Sequence, residues 1–292
     1  MEGKFLKIWS WTKRREKPRS GMSSATRLVI RYKLLSTFLT VSTAAAFQSA
    51  PQSEQAPALQ AQQAMVHAIE EGRLVWPVGN SAWDHYQRYV LRPLSDNQRH
   101  EADDRMVIAL GSAGDQILFT YRRGNEVIPL GAAKYEEGAR LFGYASEIDP
   151  LDLQLQAKAK FMEGQLLIEK HEHSEGIQAL RQSIVLDPNA AYAYNALGIV
   201  YLQQKRWKEA VANFRAATER AEMWVYPRFN LFRAYTRLNR LQEAERELRT
   251  GIEIGDALGT EYSYLHYNLA VLYLYQGRFQ EADVEFRHAE RT

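Results

Sequence analysis

Apolar residues recur at helical spacing through most of the chain. From about Leu59 onward they return every three or four positions in segments of about 12 to 20 residues, and no segment keeps the two-residue alternation of a half-buried strand. Helix ends are predicted at Gly72, at Pro93 and at the pairs Asp149-Pro150 and Asp187-Pro188, because a proline pushes the preceding residue out of the helical region. The pattern predicts an all-α fold.

The helical segments repeat with a period of 34 residues. The best-defined unit has Leu197, Gly198 and Tyr201 in its first helix and Ala210, Phe214 and Ala217 in its second. The same offsets return 34 residues later as Leu231, Phe232, Tyr235, Ala244, Leu248 and Gly251. They return 38 residues after that, with the extra length in a loop over 255–261, as Leu269, Ala270, Tyr273, Ala282, Phe286 and Ala289. Earlier members are Gly164, Leu167, Gly176, Leu180 and Ser183, preceded by a half-unit with Gly138, Phe142 and Ala145. A repeat of this length is typical of stacked helical hairpins.

This order of large apolar, small and aromatic residues resembles the tetratricopeptide repeat. The resemblance implies a right-handed α-solenoid, with four hairpin units over 157–190, 191–224, 225–262 and 263–292. Residues 64–156 are interpreted as diverged helical hairpins that form an N-terminal cap. Small residues such as Gly198 allow two antiparallel helices to approach closely. Phe232 stands at the corresponding position of the third unit, so we expect its two helices to splay slightly.

The first helices of such an array line a concave groove, and here they are rich in aromatic residues. Two rows of equivalent positions and their neighbours form the predicted peptide-binding groove: Phe161, Tyr192, Asn195, Ile199, Tyr226, Phe229, Arg233, Arg237, Tyr264, Tyr267 and Tyr275. Tyrosine offers contact area at a low entropy cost, and arginine can hold an acidic group through two hydrogen bonds. The alternative is that some of these aromatic side chains pack against the neighbouring helix.

Charge separates the N-terminus from the rest of the chain. Residues 1–33 hold ten Lys or Arg against two acidic residues, whereas the remainder holds 27 basic and 33 acidic residues. The uncharged run from Leu34 to Phe47 is too short to span a bilayer but fits a secretory signal, and Ala44 to Ala46 fit a cleavage site. We therefore predict a signal peptide or membrane anchor over 1–47 and a flexible linker over 48–63. An organelle transit peptide and a start at Met22 remain alternatives.

The candidates for chemistry are few. With no cysteine in the chain, disulfides, zinc ribbons and thiol nucleophiles are excluded. His171 and His173 could ligate a metal, but they lack a third positioned ligand and are interpreted as a solvated turn. The segment from Gly111 to Gly114 lacks the lysine of a phosphate loop and is interpreted as close helix packing. No catalytic residue, metal or cofactor is therefore predicted.

The sequence predicts a non-catalytic scaffold that binds a protein or peptide segment and is exported or tethered to a membrane. The acidic remainder argues against a nucleic-acid partner. One alternative is an enzyme whose hydrolase or lyase site lies in residues 64–156, supported if His85, His100 and Asp104 converge in a cleft. Another is a structural role in which the chain's own linker, or a second copy, fills the groove.

Overall fold

A computed structural model describes residues 52–123 and 130–290. The predicted signal peptide or anchor over 1–47 lies outside these residues. The chain divides into two compact units, residues 1–57 and 58–292, and only 52–57 of the first are described. In the described part of the chain, no helix is both long enough and apolar enough to cross a membrane.

All regular secondary structure in the described residues is helical, which confirms the predicted fold class. In chain order the helices are α1 (Gln52–Glu70), α2 (Ala82–Val90), α3 (Asp96–Arg123), α4 (Ala132–Ile148), α5 (Leu153–Glu169), α6 (His173–Leu186), α7 (Ala191–Gln203), α8 (Trp207–Arg220), α9 (Val225–Arg237), α10 (Leu241–Leu258), α11 (Ser263–Tyr275) and α12 (Phe279–Glu290).

Two predicted boundaries differ from the structure. The expectation of a flexible linker over 48–63 is wrong from Gln52 onward, because α1 begins there. Its residues Met65 and Ala68 are buried, so the helix is held by packing. Helix α5 begins at Leu153, before the predicted unit boundary at 157, because Asp152 caps it by accepting hydrogen bonds from two backbone N–H groups.

The four hairpins α5/α6, α7/α8, α9/α10 and α11/α12 share one turn between their helices. A residue with positive φ ends the first helix in each: His171 (65°), Lys205 (61°), Asn239 (56°) and Gly277 (75°). The next backbone N–H then bonds a carbonyl one turn back in the helix, as in Arg206 N to Tyr201 O at 2.8 Å. This is the left-handed cap that commonly ends helices, and it directs the chain into the antiparallel second helix.

Close approach of the paired helices depends on glycine. A Cβ placed on Gly198 would lie 2.5 Å from Cδ1 of the Phe214 ring, so no side chain fits there. A Cβ on Gly164 would lie 2.9 Å from Cγ of Leu180. At each of these positions, the glycine of the first helix leaves space for a large side chain of the second helix.

The N-terminal helices also pack a glycine against a large side chain. A Cβ on Gly114 of α3 would lie 2.6 Å from Cζ of Phe142 in α4, so α3 and α4 pack like a repeat unit. Helix α2 lies against α4 through Trp83 and Tyr144, whose parallel rings are 4.2 Å apart. The cap thus joins the same hydrophobic core as the repeats.

Candidate functional site

The C-terminal turn of α3 lies against the first helices of the repeats. The Tyr121 ring packs edge-on against Phe161 of α5 at 5.0 Å and against Trp224, the residue before α9, at 6.2 Å. Trp224 Nε1 donates a hydrogen bond to the Arg122 carbonyl at 2.8 Å, and the Arg122 guanidinium lies over the indole at 5.5 Å. One end of the predicted groove is therefore occupied by the chain itself.

A row of polar side chains joins this turn to α7 and α9. Asn195 Nδ2 donates to the Tyr121 hydroxyl at 3.1 Å, and Asn230 Nδ2 donates to Asn195 Oδ1 at 3.1 Å. Arg233 donates to Asn230 Oδ1 at 3.2 Å. Both asparagines are fully buried, so each bond satisfies groups that would otherwise be costly to remove from water. We call Tyr121, Asn195, Asn230 and Arg233 the polar row.

The tyrosines near this row are held in their neutral form. Burial raises the pKa of Tyr121 well above its usual value and raises the pKa of Tyr135, in α4, to about 12. The Tyr135 hydroxyl accepts a hydrogen bond from Gln165 of α5 at 3.2 Å. These hydroxyl groups therefore act as uncharged hydrogen-bonding groups and add no anion to the groove.

Four of the predicted groove residues are buried in packing between units, and a ligand cannot reach them. Phe161, Tyr192, Asn195 and Phe229 are 0%, 8%, 0% and 5% exposed. Phe161 packs edge-on against Tyr192 at 4.8 Å, and Phe229 packs in the same way against Tyr264 at 5.0 Å. The prediction of a ligand-contacting role is wrong for these four, because α3 or a neighbouring unit covers them.

The other predicted residues keep some exposed surface. Ile199, Tyr226, Arg233 and Tyr264 are half-buried, whereas Arg237, Tyr267 and Tyr275 are exposed. Tyr226 lies beside Trp224 at 6.5 Å between ring centroids. The amino ends of α7 and α9 are thus covered by α3, while their carboxyl ends are open.

An open pocket of about 430 Å³ lies at those carboxyl ends. Its walls come from α7, α8 and α9: Leu202, Gln203, Trp207, Phe232, Arg233, Thr236 and Arg237. Arg233 and Arg237 are four residues apart on α9 and so share a face. The pocket combines apolar walls with two guanidinium groups. It therefore suits a ligand in which an apolar side chain lies next to an acidic one.

The other chemical candidates are accounted for by local structure. His171 is the left-handed turn residue of its hairpin, equivalent to Lys205, and its ring lies 6.1 Å from that of His173. Gly114 is a packing glycine. In residues 52–123 and 130–290, no three His, Asp or Glu side chains come together to hold a metal ion.

His85, His100 and Asp104, the three residues considered for a catalytic site in the N-terminal helices, do not contact one another. His85 Nε2 pairs with the Asn80 side chain at 3.0 Å, and His100 Nδ1 lies 2.6 Å from the carbonyl of Asp96 on its own helix. Burial, followed by the nearby arginines, lowers the pKa of His85. Asp104 is exposed, and no hydrogen bond or ion pair joins these three residues in the described structure.

Sequence reasoning missed several residues that shape the site. Tyr121 lies outside the repeats, and only its contacts reveal its role. Trp207 follows the repeat spacing, with Leu241 and Phe279 at the equivalent positions. Three arginines, Arg206, Arg240 and Arg278, also follow the 34- and 38-residue spacing. Each stacks on the signature tyrosine of its unit, at 4.4, 4.7 and 4.0 Å. Each also pairs with the glutamate three residues later.

The stacked hairpins and their partly open groove define a helical-repeat scaffold of the class that acts through protein interactions. Family models described as tetratricopeptide repeat match residues 161–222 and 263–291. The chain therefore contains tetratricopeptide repeats in these two segments.

Several solved structures are similar to this chain. The crystal structure of MamA is 18% identical over 55% of this chain and 88% of its own, with a TM-score of 0.45. A MamA fragment from Desulfovibrio magneticus is 16% identical over 64% and 94%, also with a TM-score of 0.45. A MamA mutant is 20% identical over 65% and 98%, with a TM-score of 0.44. No curated protein sequence matches the chain.

Proposed function

We propose that this protein binds a segment of a partner protein at the pocket between α7 and α9. The observation that carries the proposal is the pairing of Arg233 and Arg237 with the apolar walls of Trp207 and Phe232 in one open pocket. An apolar side chain of the segment lies between these walls, and a neighbouring carboxylate pairs with Arg237.

The chemistry of the two arginines supports an acidic ligand. A guanidinium binds a carboxylate through two parallel hydrogen bonds, which fixes the orientation of the ligand as well as adding affinity. Arg233 already donates to Asn230. Arg237 is exposed, so the proposal gives it the direct contact with the ligand.

The covered end of the groove limits the length of the bound segment. Tyr121, Arg122 and Trp224 occupy the amino ends of α7 and α9, so a ligand that ran the full groove would have to displace them. A short segment confined to the carboxyl ends requires no such rearrangement.

The pocket is tested with Arg237→Ala, which removes the proposed carboxylate contact, and Gln203→Trp, which fills the pocket from its rim. Partners are captured from the native host with the wild-type chain, and their affinities for each variant are then measured by calorimetry. We expect each variant to weaken binding by about tenfold or more, equivalent to about 1.4 kcal/mol.

The matched control is Lys208→Ala. It also removes one exposed cation, from α8, outside the pocket lining. Equal weakening by the control would show that only net charge matters. Unchanged affinity in both pocket variants would place binding elsewhere on the molecule.

The proposal includes export, or tethering, of the scaffold through residues 1–47. It is supported by the charge pattern alone, with a basic segment followed by an uncharged run that ends in small residues. Intact-mass measurement of protein purified from its host should show loss of the first 46 residues or so. Retention of the whole segment in a membrane fraction would support the anchor, and retention in a soluble fraction would contradict both.

A further inference from the structure

The pocket between α7 and α9 lies where the array departs from its own repeat. Four residues that line it differ in kind from the residues at the same positions of the units before and after. Written from one unit to the next, the equivalent sets are His173, Trp207 and Leu241; Gly198, Phe232 and Ala270; Ile199, Arg233 and Val271; and Gln203, Arg237 and Tyr275. Two aromatic walls and two guanidinium groups therefore meet at the junction of the second and third units.

Elsewhere in the repeats, arginine contacts an aromatic ring and a carboxylate at the same time. Arg206 lies over the Tyr201 ring at 4.4 Å, while its Nε donates a hydrogen bond to Glu209 at 3.0 Å. The next two units repeat this set as Arg240 with Tyr235 and Glu243, and as Arg278 with Tyr273 and Glu281. The flat face of a guanidinium binds the ring and its outward N–H groups bind the carboxylate, so the two contacts do not compete.

Arg237 has neither kind of partner. It is exposed, and within residues 52–123 and 130–290 its guanidinium makes no hydrogen bond, ion pair or ring contact. The function proposed above supplies a ligand carboxylate to its N–H groups. The face of the guanidinium is then open to a ring, in a pocket that Trp207 and Phe232 also line.

We infer that the apolar side chain of the bound segment is aromatic and that an aspartate or glutamate lies next to it. The inference rests on the proposed function and narrows its ligand to one class of sequence. The ligand ring contacts Trp207 and the face of Arg237, and the adjacent carboxylate pairs with the same guanidinium. The complex thereby forms between two molecules the set that Arg206, Tyr201 and Glu209 form within one.

An aliphatic side chain would use less of this pocket. It would bury apolar area, but it would leave the face of the Arg237 guanidinium without a partner. Contacts between two rings, and between a ring and a cation, each add roughly two- to tenfold to affinity beyond the area that they bury. The flat groups that line the pocket therefore favour a flat side chain.

The inference is tested with synthetic hexapeptides that are blocked at both ends. Gly-Gly-Phe-Glu-Gly-Gly and Gly-Gly-Leu-Glu-Gly-Gly differ only in the apolar residue, and their dissociation constants for the full chain are measured by NMR titration. The phenylalanine peptide should bind about fivefold more tightly or better. A third peptide, with glutamine in place of the glutamate, should bind about fivefold more weakly than the phenylalanine peptide, because it cannot form the ion pair.

Two variants separate the ring contact from the charge. Arg237→Lys keeps the positive charge but removes the flat guanidinium, so the advantage of phenylalanine over leucine should fall to about twofold or less. Trp207→Leu, which uses the leucine of the third unit, should reduce the advantage in the same way. Arg246→Lys is the matched control, since it changes an exposed arginine of α10 outside the pocket, and circular dichroism verifies that each variant is folded.

Gln203→Trp shows whether the peptides bind in the pocket. If phenylalanine and leucine peptides bind equally and Gln203→Trp blocks both, the aromatic preference is overturned and the proposed function stands. If neither peptide binds, or if Gln203→Trp leaves both affinities unchanged, the proposed function fails and the inference fails with it. A phenylalanine preference that survives both Arg237→Lys and Trp207→Leu would also overturn the inference.

Discussion

At the scale of single residues, one carboxylate joins the third and fourth units, and it stands at a position where the second unit has Val211. Glu245 of α10 accepts hydrogen bonds from Arg278 at 2.7 Å, Arg249 at 3.0 Å and the Tyr273 hydroxyl at 3.0 Å. Burial alone would raise the pKa of Glu245, but these donors outweigh it and lower the pKa. The carboxylate therefore holds the third and fourth units together in its ionised form.

Glu245→Gln should lower the free energy of unfolding by about 1 to 2 kcal/mol at pH 7. Because the folded pKa lies below the unfolded one, this stabilisation is present above the unfolded value and is lost as pH falls through the folded value. Urea unfolding of wild type and variant should therefore differ at pH 7, and the difference should shrink as the pH falls below 4.5, the ordinary pKa of a glutamate. The exposed Glu253→Gln on the same helix is the control, and an equal effect there, or a difference independent of pH, would contradict the prediction.

At the scale of helices, three of the hairpins pair a glycine with a large side chain. Gly198 faces Phe214, Gly164 faces Leu180, and Gly114 faces Phe142 in the cap. The third repeat unit has Phe232 at the glycine position and Leu248 opposite it in register, which is a bulkier pair than any of these. The slight splaying expected of its two helices stays a prediction.

Gly198→Ala should destabilise the protein by about 1 to 3 kcal/mol, because the added methyl group overlaps the Phe214 ring. Phe214→Leu alone should also destabilise it, by leaving a cavity. Combined, the two changes should cost less than the sum of their separate effects by at least about 1 kcal/mol. Thermal unfolding of all four proteins measures this coupling, and strict additivity would show that the two residues do not share one space.

At the scale of the whole molecule, α3 connects the cap to three repeat units. Its last residues contact α5, α7 and the start of α9 through Tyr121 and Arg122. Tandem repeats otherwise contact only their nearest neighbours, and this contact between Arg122 and Trp224 bridges 102 positions along the chain. The helix thereby fixes the relative arrangement of the first three hairpins and divides the groove into a covered and an open part.

Asn195→Ala should lower the free energy of unfolding by about 2 to 3 kcal/mol, since the buried Asn230 amide and the Tyr121 hydroxyl both lose a partner. Hydrogen exchange should also increase at the C-terminal turn of α3. Asn213→Ala is the control, because Asn213 bonds only a carbonyl of its own helix, that of Glu209. Loss of stability with unchanged exchange in α3 would show that the polar row does not hold the helix in place.

The sequence by itself determined the fold class and the register of the repeats, through local properties. Helical periodicity, the 34-residue spacing and small residues such as Gly198 act within one hairpin, and each hairpin repeats the same packing. The tertiary structure decided which groove residues are accessible. Phe161 and Asn195 have the composition of a binding surface but are covered by Tyr121, which lies 40 and 74 positions away. Periodicity cannot show such a contact, because α3 belongs to no regular repeat and its final turn meets the array only after folding.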